Sequence, residues 1–286
     1  MPVVQRKNHI IVLGASGRIG RMLRRWWAIA PPAGLVPHWQ FREAPAEGGL
    51  VWRPGEAPPE TLARCDGILA LWGVTPGPGR DLGANGALAL AAMELAATIG
   101  ARRVLHCSSA AVYPPGPAPL TEDMAGPAPN PYGRAKLDME EAITGWHAAH
   151  AGGPEACALR IGNVAGADSL FAALTRGDDP VTLDRFTDGH GPARSYISVP
   201  ALARTVEALF AHEGPLPATL NIASPAPVAM EAIARAAGRD VLWRDAPEAA
   251  APMVWLDTAR LAAIAPLPPE NAAGLVASWR QLRGVA

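Results

Sequence analysis

The stretch between residues 9 and 20 sets the first limit on how this chain can fold. His9-Ile10-Ile11-Val12-Leu13 is an apolar run with the length and composition of a strand buried on both faces. It leads directly into Gly14-Ala15-Ser16-Gly17-Arg18-Ile19-Gly20, and the residues that follow, rich in Arg and Trp, read as a helix. Glycines spaced in this way permit a tight turn and a close backbone approach. A helix that starts there also offers unpaired N–H groups and the positive end of its dipole. Strand, glycine turn and helix in that order begin an open parallel α/β sheet, and the turn suits a phosphate-bearing ligand.

The rest of the chain supplies the elements that such a sheet needs. Apolar runs at 35–41, 50–53 and 103–107 read as strands, and 66–73, 158–166 and 220–224 are taken as strands from a family resemblance set out below. Helices are predicted around 59–64, over 86–99 with Leu88, Ala91, Ala92 and Leu95 at helical spacing, and from Tyr132 onward, and the same resemblance implies helices over 201–211 and 228–237. Residues 74–84 are rich in Gly and Pro and read as a loop. Prolines at 114, 115, 117, 119, 127, 129 and 131 forbid a helix and disfavour a central strand, so this segment is expected to be a rigid loop able to wall a pocket.

Composition narrows the class of partner. With 286 residues, 49% hydrophobic and 18% charged, the chain reads as an ordered globular protein with a sizeable core. A formal net charge of -1 and the lack of a basic arm argue against nucleic acid. The apolar run after the polar N-terminus is too short for a signal-peptide core, and the Ala-rich run at 88–101 carries Glu94 and falls short of a membrane span. A cytoplasmic protein without a membrane partner is expected. Cys65, Cys107 and Cys157 are odd in number and widely spaced, which suits buried thiols and no disulfide framework. His147 and His150 lack a third ligand nearby and read as helix C-terminal residues, so no metal is expected. Glu140 and Glu141 read as a solvated helix face, and Ser108 has no Gly-x-Ser-x-Gly elbow, which weighs against a hydrolase.

Chemistry concentrates between residues 105 and 136. A short apolar run ends in Ser108-Ser109-Ala110-Ala111-Val112-Tyr113, and the proline loop closes with Tyr132-Gly133-Arg134-Ala135-Lys136. Tyr132 and Lys136, four apart on a helix, share one face, and Ser109 falls at a strand end, where ligands collect in open α/β sheets. A hydroxyl, a phenol and an ammonium converging in a cleft make a proton-transfer site.

These residues resemble the active site of the extended short-chain dehydrogenase/reductases, the NAD(P)-dependent epimerase/dehydratase family. That family ends a strand in Ser-Ser-x-x-Val-Tyr with the catalytic Ser four residues before the Tyr, which matches Ser109 and Tyr113. Its Tyr-x-x-x-Lys matches Tyr132 and Lys136 within Pro-Tyr-Gly-Arg-Ala-Lys, and its glycine turn is the Gly-x-x-Gly-x-x-Gly form found here. Asp66 and Leu71 match its Asp-x-Val-x-His-Leu-Ala, with Ala70 and Trp72 in place of His and Ala. Asn85 lies where the family carries an Asn that orders the active-site backbone. The run from Leu159 to Gly166 is similar to Leu-Arg-x-x-Asn-x-x-Gly. Arg194-Ser195-Tyr196-Ile197-Ser198-Val199 resembles Arg-Asp-Tyr/Phe-Ile-His-Val with Ser for Asp and His, and Asn221-Ile222 and Asp257 fall in further, thinner matches.

The resemblance implies a Rossmann-type doubly wound parallel sheet with a small C-terminal substrate-binding lobe. Residues 1–165 would form the dinucleotide-binding core with the catalytic set, and 166–286 would return to it at about 201–223 and build the lobe. It implies a cofactor held by Gly14, Ser16, Gly17, Arg18, Ile19, Gly20, Arg42, Leu71, Trp72, Gly73, Lys136 and Ile161, and a substrate met by Asn163 and Arg194, the latter as an anion clamp. The second strand ends in Gln40-Phe41-Arg42 where an NAD-binding fold places an acid for the adenosine ribose. Arg42, with Arg18 as a second cation, can instead pair with the 2′-phosphate of NADP, so NADP is expected ahead of NAD. The expected activity is hydride transfer between NADP(H) and a carbonyl or alcohol carbon of a sugar-like or nucleotide-sugar substrate. Tyr132 would be the acid or base, Ser109 would hold the substrate oxygen, and Lys136 would support the phenol and bond the nicotinamide ribose. A nucleotide-sugar epimerase or dehydratase with a tightly held cofactor is the nearest alternative, and a non-catalytic NADP sensor a further one. The resemblance also allows a homodimer through paired helices.

Overall fold

The apolar run after Lys7 enters the middle of a sheet, with Ile10, Ile11, Val12 and Leu13 wholly buried. The computed structural model describes residues 7–45, 48–62, 65–116, 118–124, 126–177 and 179–284. In chain order it runs β1 (Asn8–Leu13), α1 (Arg18–Ile29), β2 (Leu35–Phe41), β3 (Leu50–Val51), β4 (Gly67–Ala70), α2 (Ala84–Ile99), β5 (Arg103–Ser109), α3 (Pro131–Ala149) and β6 (Glu155–Ile161). Next come β7 (Asn163–Val164), α4 (Ser169–Thr175), β8 (Val181–Arg185), β9 (Ala193–Ile197), α5 (Val199–Ala211) and β10 (Thr219–Ile222). The chain finishes with β11 (Pro227–Ala229), α6 (Met230–Ala236), β12 (Val241–Asp245), β13 (Met253–Val254), α7 (Ala259–Ala262) and α8 (Ala272–Arg283).

Seven strands form one wholly parallel sheet in the order β10-β6-β5-β4-β1-β2-β3. After β1 the chain steps outward to β2 and β3, then crosses to β4 and steps outward the other way. The reversal opens a crevice at the carboxyl ends of β1 and β4, the usual ligand position of a doubly wound sheet. Pro37 sits inside β2, yet β3 pairs with β2 only at Gln40 and Phe41, so at Pro37 one side of the strand is an edge that tolerates a missing N–H.

Residues beyond β6 build a second, smaller unit before and after returning to the sheet as α5 and β10. There β9 pairs with β7, β11 and β13, and β8 pairs with β12 as a separate two-stranded parallel ribbon. Phe171 is wholly buried and packs edge-on against Tyr196 and Trp279, with ring centroids 6.1 and 5.3 Å apart.

Several local expectations are corrected. The helix expected over 228–237 is shorter: residues 227–229 pair antiparallel with β9, and the helix begins at Met230. The helix expected around 59–64 is a single 3-10 turn, Glu60–Leu62, and residues 63 and 64 lie outside the described residues. Glu140 is not on a solvated face: it is buried, and its carboxylate forks onto Arg160 at 2.7 and 3.2 Å. Arg160 also donates to the Tyr113 hydroxyl and the Glu122 carbonyl, while Ser108 donates to Glu140. Tyr113 in turn donates to Asn221, whose amide bonds the Leu120 and Asp257 carbonyls. This chain of bonds fastens the proline loop, whose described residues include one 3-10 turn, Glu122–Met124, to β6, α3 and β10.

Breaking a buried pair leaves a stranded charge, which typically costs about 3–5 kcal/mol. Glu140→Ala is therefore expected to lower the unfolding free energy by about that amount in urea denaturation. A loss below about 1 kcal/mol, the range of an exposed pair, would contradict the role given to this bond.

Candidate active site

Two caps bring the reactive side chains together. The Ser109 hydroxyl accepts from the Ala111 N–H at 3.2 Å, ending β5 in a 3-10 turn, Ala110–Val112. Asn130 caps α3 by accepting from the Gly133 N–H at 2.9 Å, with Pro131 in the first helical turn. Gly133 lets the helix press onto that 3-10 turn, since a Cβ there would lie 2.0 Å from the Ala111 carbonyl oxygen. The sequence reading missed Gly133, although Tyr-Gly at a helix start was in view.

The three groups gather at one place. Ser109 and Tyr132 line one cleft, and the Lys136 ammonium lies 5.9 Å from the Tyr132 ring centroid. Lys136 is only 2% exposed and donates to the Cys107 carbonyl at 2.8 Å and to Asn85 Oδ1 at 3.2 Å. Asn85, itself buried, also clamps the loop after β4 by accepting from the Val74 N–H and donating to the Val74 and Leu82 carbonyls. Gly73 leaves room for this arrangement, because a Cβ there would lie 2.9 Å from Asn85 Oδ1 and 3.3 Å from the Lys136 nitrogen. Ser109 and Tyr132 line a cleft of about 290 Å³ together with Ile19, Ile161, Asn163 and Asp168.

Burial governs the protonation states. It pushes the Tyr132 phenol up to about 12, helped by Cys107 and opposed by the nearby Ser109 hydroxyl. Burial also lowers Lys136 below the usual lysine range, against the pull of Cys107 and Glu140. His106 is held neutral beneath them, pushed down to about 3 by burial and then by the Lys136 charge.

The glycine turn fits a dinucleotide pyrophosphate. Gly14 has φ +83°, and a Cβ on it would lie 2.7 Å from the Trp72 nitrogen. A Cβ on Gly20 would lie 2.5 Å from the Gly14 oxygen, so the turn closes tightly only with glycine. Gly17 caps α1 without a side-chain bond, and no acid stands in the first turn, leaving the helix N-terminus open to an anion. Gln40, not foreseen as a support, accepts from the Gly14 N–H at 3.0 Å and donates to the Trp52 carbonyl at 2.5 Å.

Other expected site residues are placed as follows. Ser16 is exposed on the turn, Leu71 is half-buried at the end of β4, and Ile161 is buried opposite Ser109 in the sheet register. Arg42 is exposed at the end of β2. Arg18 is not its companion there: its guanidinium donates to the Ala167 carbonyl, so its charge lies beside the Ser109–Tyr132 cleft. The Trp72 indole stacks on Trp52 at 5.9 Å, facing the β3 side. Asn163 donates to Asp168 at 2.8 Å, and Tyr196 donates to the same carboxylate oxygen at 2.6 Å. Asp168, and not Asn163, caps the helix that follows, and the Asp-Ser pair before an apolar run was the available signal. The Arg194 guanidinium donates to the carbonyls of Ala193, Ala251 and Pro252, tying β9 to the segment before β13. Among the described residues no cluster of three or more His, Cys, Asp or Glu is placed to hold a metal, and no helix is long and apolar enough to cross a membrane.

A sequence profile described as the NAD dependent epimerase/dehydratase family matches residues 72–223, just over half of the chain, and leaves the glycine turn outside the matched span. No curated protein matches the chain in sequence. Among solved structures, MoeE5 in complex with UDP-glucuronic acid and NAD superposes with a TM-score of 0.76 at 21% identity, covering 98% of this chain and 100% of that one. TunA, an NAD-dependent NDP-hexosamine 5,6-dehydratase of tunicamycin biosynthesis, gives 0.76 at 19% identity, covering 97% of this chain and 98% of that one. The UDP-glucuronic acid 4-epimerase from Bacillus cereus, in complex with UDP-glucuronic acid and NAD, gives 0.74 at 16%, covering 97% and 100%. At these identities the likeness is one of fold.

The chain has three tyrosines, and burial raises all of them, Tyr113 and Tyr132 to about 12 and Tyr196 well above the ordinary tyrosine value. An unfolded tyrosine ionises near 10, so between about 10 and 12 the unfolded chain loses protons that the folded chain keeps. Stability contributed by these groups therefore falls as pH rises through that window. A spectrophotometric titration of the cofactor-free protein is expected to show no tyrosinate at about pH 10 while the fold persists. A half-ionised tyrosine at that pH would contradict the burial assigned to them.

Proposed function

The chain belongs to the NAD-dependent epimerase/dehydratase family, and on that premise we propose that it is an oxidoreductase moving hydride between NADP(H) and a carbonyl or alcohol carbon of a nucleotide sugar. The observation that carries this reading is that Ser109 and Tyr132 line one cleft with the start of α1, with the Lys136 ammonium beside the phenol. The family profile and the nucleotide-sugar ligands named for MoeE5 and the Bacillus cereus epimerase support the substrate class.

When bound, the dinucleotide supplies the hydride and, in its oxidised form, a positive charge. Tyr132 holds the proton that passes to or from the substrate oxygen, and Ser109 bonds that same oxygen as charge develops on it. A phenol raised to about 12 cannot act as a base at neutral pH unless cations favour its ionised form. Lys136 is one such cation, fixed in place by the Cys107 carbonyl and Asn85. The uncapped first turn of α1, with Gly14, Gly17 and Gly20, would hold the pyrophosphate. Asn163 stands at the cleft wall, where it would meet the substrate, and Arg194 lies in the adjoining lobe. The neutral Gln40 and the cationic Arg42 at the end of β2 favour NADP, with NAD as the second choice. The triad retained here weighs against a non-catalytic sensor.

An epimerase or dehydratase that keeps its cofactor is the second reading, favoured by the activities named for TunA and the Bacillus cereus enzyme. Incubation with NADPH and a panel of nucleotide sugars separates the two: a reductase consumes NADPH stoichiometrically, whereas an epimerase changes the sugar with no net change in cofactor absorbance. For whichever substrate turns over, Tyr132→Phe is expected to lower kcat by about 10²–10⁴-fold while dinucleotide affinity is kept. Turnover within a few-fold of the parent would remove the proton-transfer role.

A further inference from the structure

Asp168 stands in the wall of the Ser109–Tyr132 cleft, and no step of the proton transfer uses its carboxylate. Strands β7 and β9 run parallel with Asn163 opposite Tyr196, and the turn after β7 brings Asp168 back to both side chains. Asp168 Oδ2 accepts from Asn163 Nδ2 at 2.8 Å and from the Tyr196 hydroxyl at 2.6 Å. Its Oδ1 accepts from the Phe171 N–H at 2.9 Å and caps α4. Burial, and then the Asp168 charge, hold the Tyr196 phenol well above the ordinary tyrosine range, so it stays a donor. With a donor on each oxygen the carboxylate is fixed in one orientation.

An ionised carboxylate can only accept, so the branch of the Asn163 amide that faces it must be the nitrogen. The oxygen is then on the free branch. Among the described residues Asn163 Oδ1 takes no donor, and it is not sealed from water. The cleft therefore meets a bound molecule at this wall with an acceptor. Charge points the same way: among the described residues that line the cleft, Asp168 alone carries a formal charge. Arg194 turns its guanidinium to the carbonyls of Ala193, Ala251 and Pro252, and Arg18 is exposed at the rim, on the Ala167 carbonyl. A half-buried carboxylate is screened less than such a surface cation.

We infer that this wall selects the sugar: Asn163 Oδ1 accepts a hydrogen bond from an uncharged sugar hydroxyl, and Asp168, which fixes that amide, disfavours a sugar carboxylate. The inference rests on the nucleotide-sugar reading and narrows it to sugars that are neutral at this wall. Asp168 is a positioning residue for Asn163, and its own charge supplies the repulsive half of the selection, so attraction and repulsion favour the same ligand.

The test uses the full chain saturated with whichever oxidised dinucleotide it binds more tightly, titrated calorimetrically with UDP-glucose, UDP-glucuronic acid and UDP. The two sugars differ by one carboxylate, and UDP reports the nucleotide end alone. The parent is expected to bind UDP-glucose about tenfold or more tighter than UDP-glucuronic acid. Asp168→Asn is nearly isosteric and keeps a side chain that caps α4, so it removes the charge and the enforced amide orientation while the turn is retained. It is expected to weaken UDP-glucose by about three- to tenfold, to strengthen UDP-glucuronic acid and to leave UDP unchanged. A parent that binds both sugars equally overturns the inference, and so does a ratio of the two that Asp168→Asn leaves as it was. Equal weakening of all three ligands also overturns it, because Asp168 would then serve only the turn. So does a parent that holds neither sugar more tightly than UDP. If none of the three binds, the nucleotide-sugar reading itself fails, and the selection assigned to this wall fails with it.

Discussion

The buried ammonium of Lys136 is the constraint around which the active-site end of the sheet is arranged. A charge taken out of water costs several kcal/mol unless dipoles or an opposite charge replace its hydration. Among the described residues no carboxylate bonds it. Its acceptors are the Cys107 carbonyl at the end of β5 and the amide oxygen of Asn85 at the start of α2. Those two groups are available only because β5 ends where it does, because Asn85 is clamped to the loop after β4, and because Gly73 has no side chain. A fold that keeps an ammonium under such conditions is spending stability on a site. The neighbouring phenol of Tyr132 is where that positive potential falls.

The scaffold delivers these groups through geometry that is largely local. Ser109 and Asn130 each end one element or begin another by side-chain capping, so the hydroxyl and the Tyr132–Lys136 face are fixed by turns and not by long-range packing. Long-range order comes from the second tier, where Arg160, Glu140, Tyr113 and Asn221 join β5, β6, α3 and β10 beneath the cleft. The proline loop is held by these side chains together with main-chain bonds between Leu120 and residues 255–257. The wall of the pocket and the stability of the core are therefore coupled.

What could be read from the sequence follows from which signals are local. The strand and glycine turn at residues 9–20, the motif ending at Ser109 and the helix bearing Tyr132 and Lys136 were all legible, since each is specified by adjacent residues of distinctive type. The β8–β12 ribbon was not, because Val181 pairs with Val241 across intervening helices and neither strand has the length or apolarity to announce itself. The same holds for β7, β11 and β13, of two or three residues each. Side-chain partners were the least legible. Glu140 looked like its exposed neighbour Glu141, and only the arrival of Arg160 from β6 makes it a core residue. Arg18 and Arg194 looked like anion ligands, and the structure gives both of them main-chain carbonyls that no local pattern reveals.

The central claim is that the phenol of Tyr132 lies close enough to the bound nicotinamide to feel its charge. It is tested most directly by NMR of the protein labelled with ¹³C at tyrosine Cζ, where only three signals need assignment, one of them by its loss in Tyr132→Phe. A positive charge within about 4–6 Å favours the phenolate by about 1–3 pH units. The account predicts that adding the oxidised dinucleotide lowers the titration midpoint of the Tyr132 signal by that much and leaves Tyr113 and Tyr196 in place. A Tyr132 signal that titrates identically with and without saturating dinucleotide would contradict it.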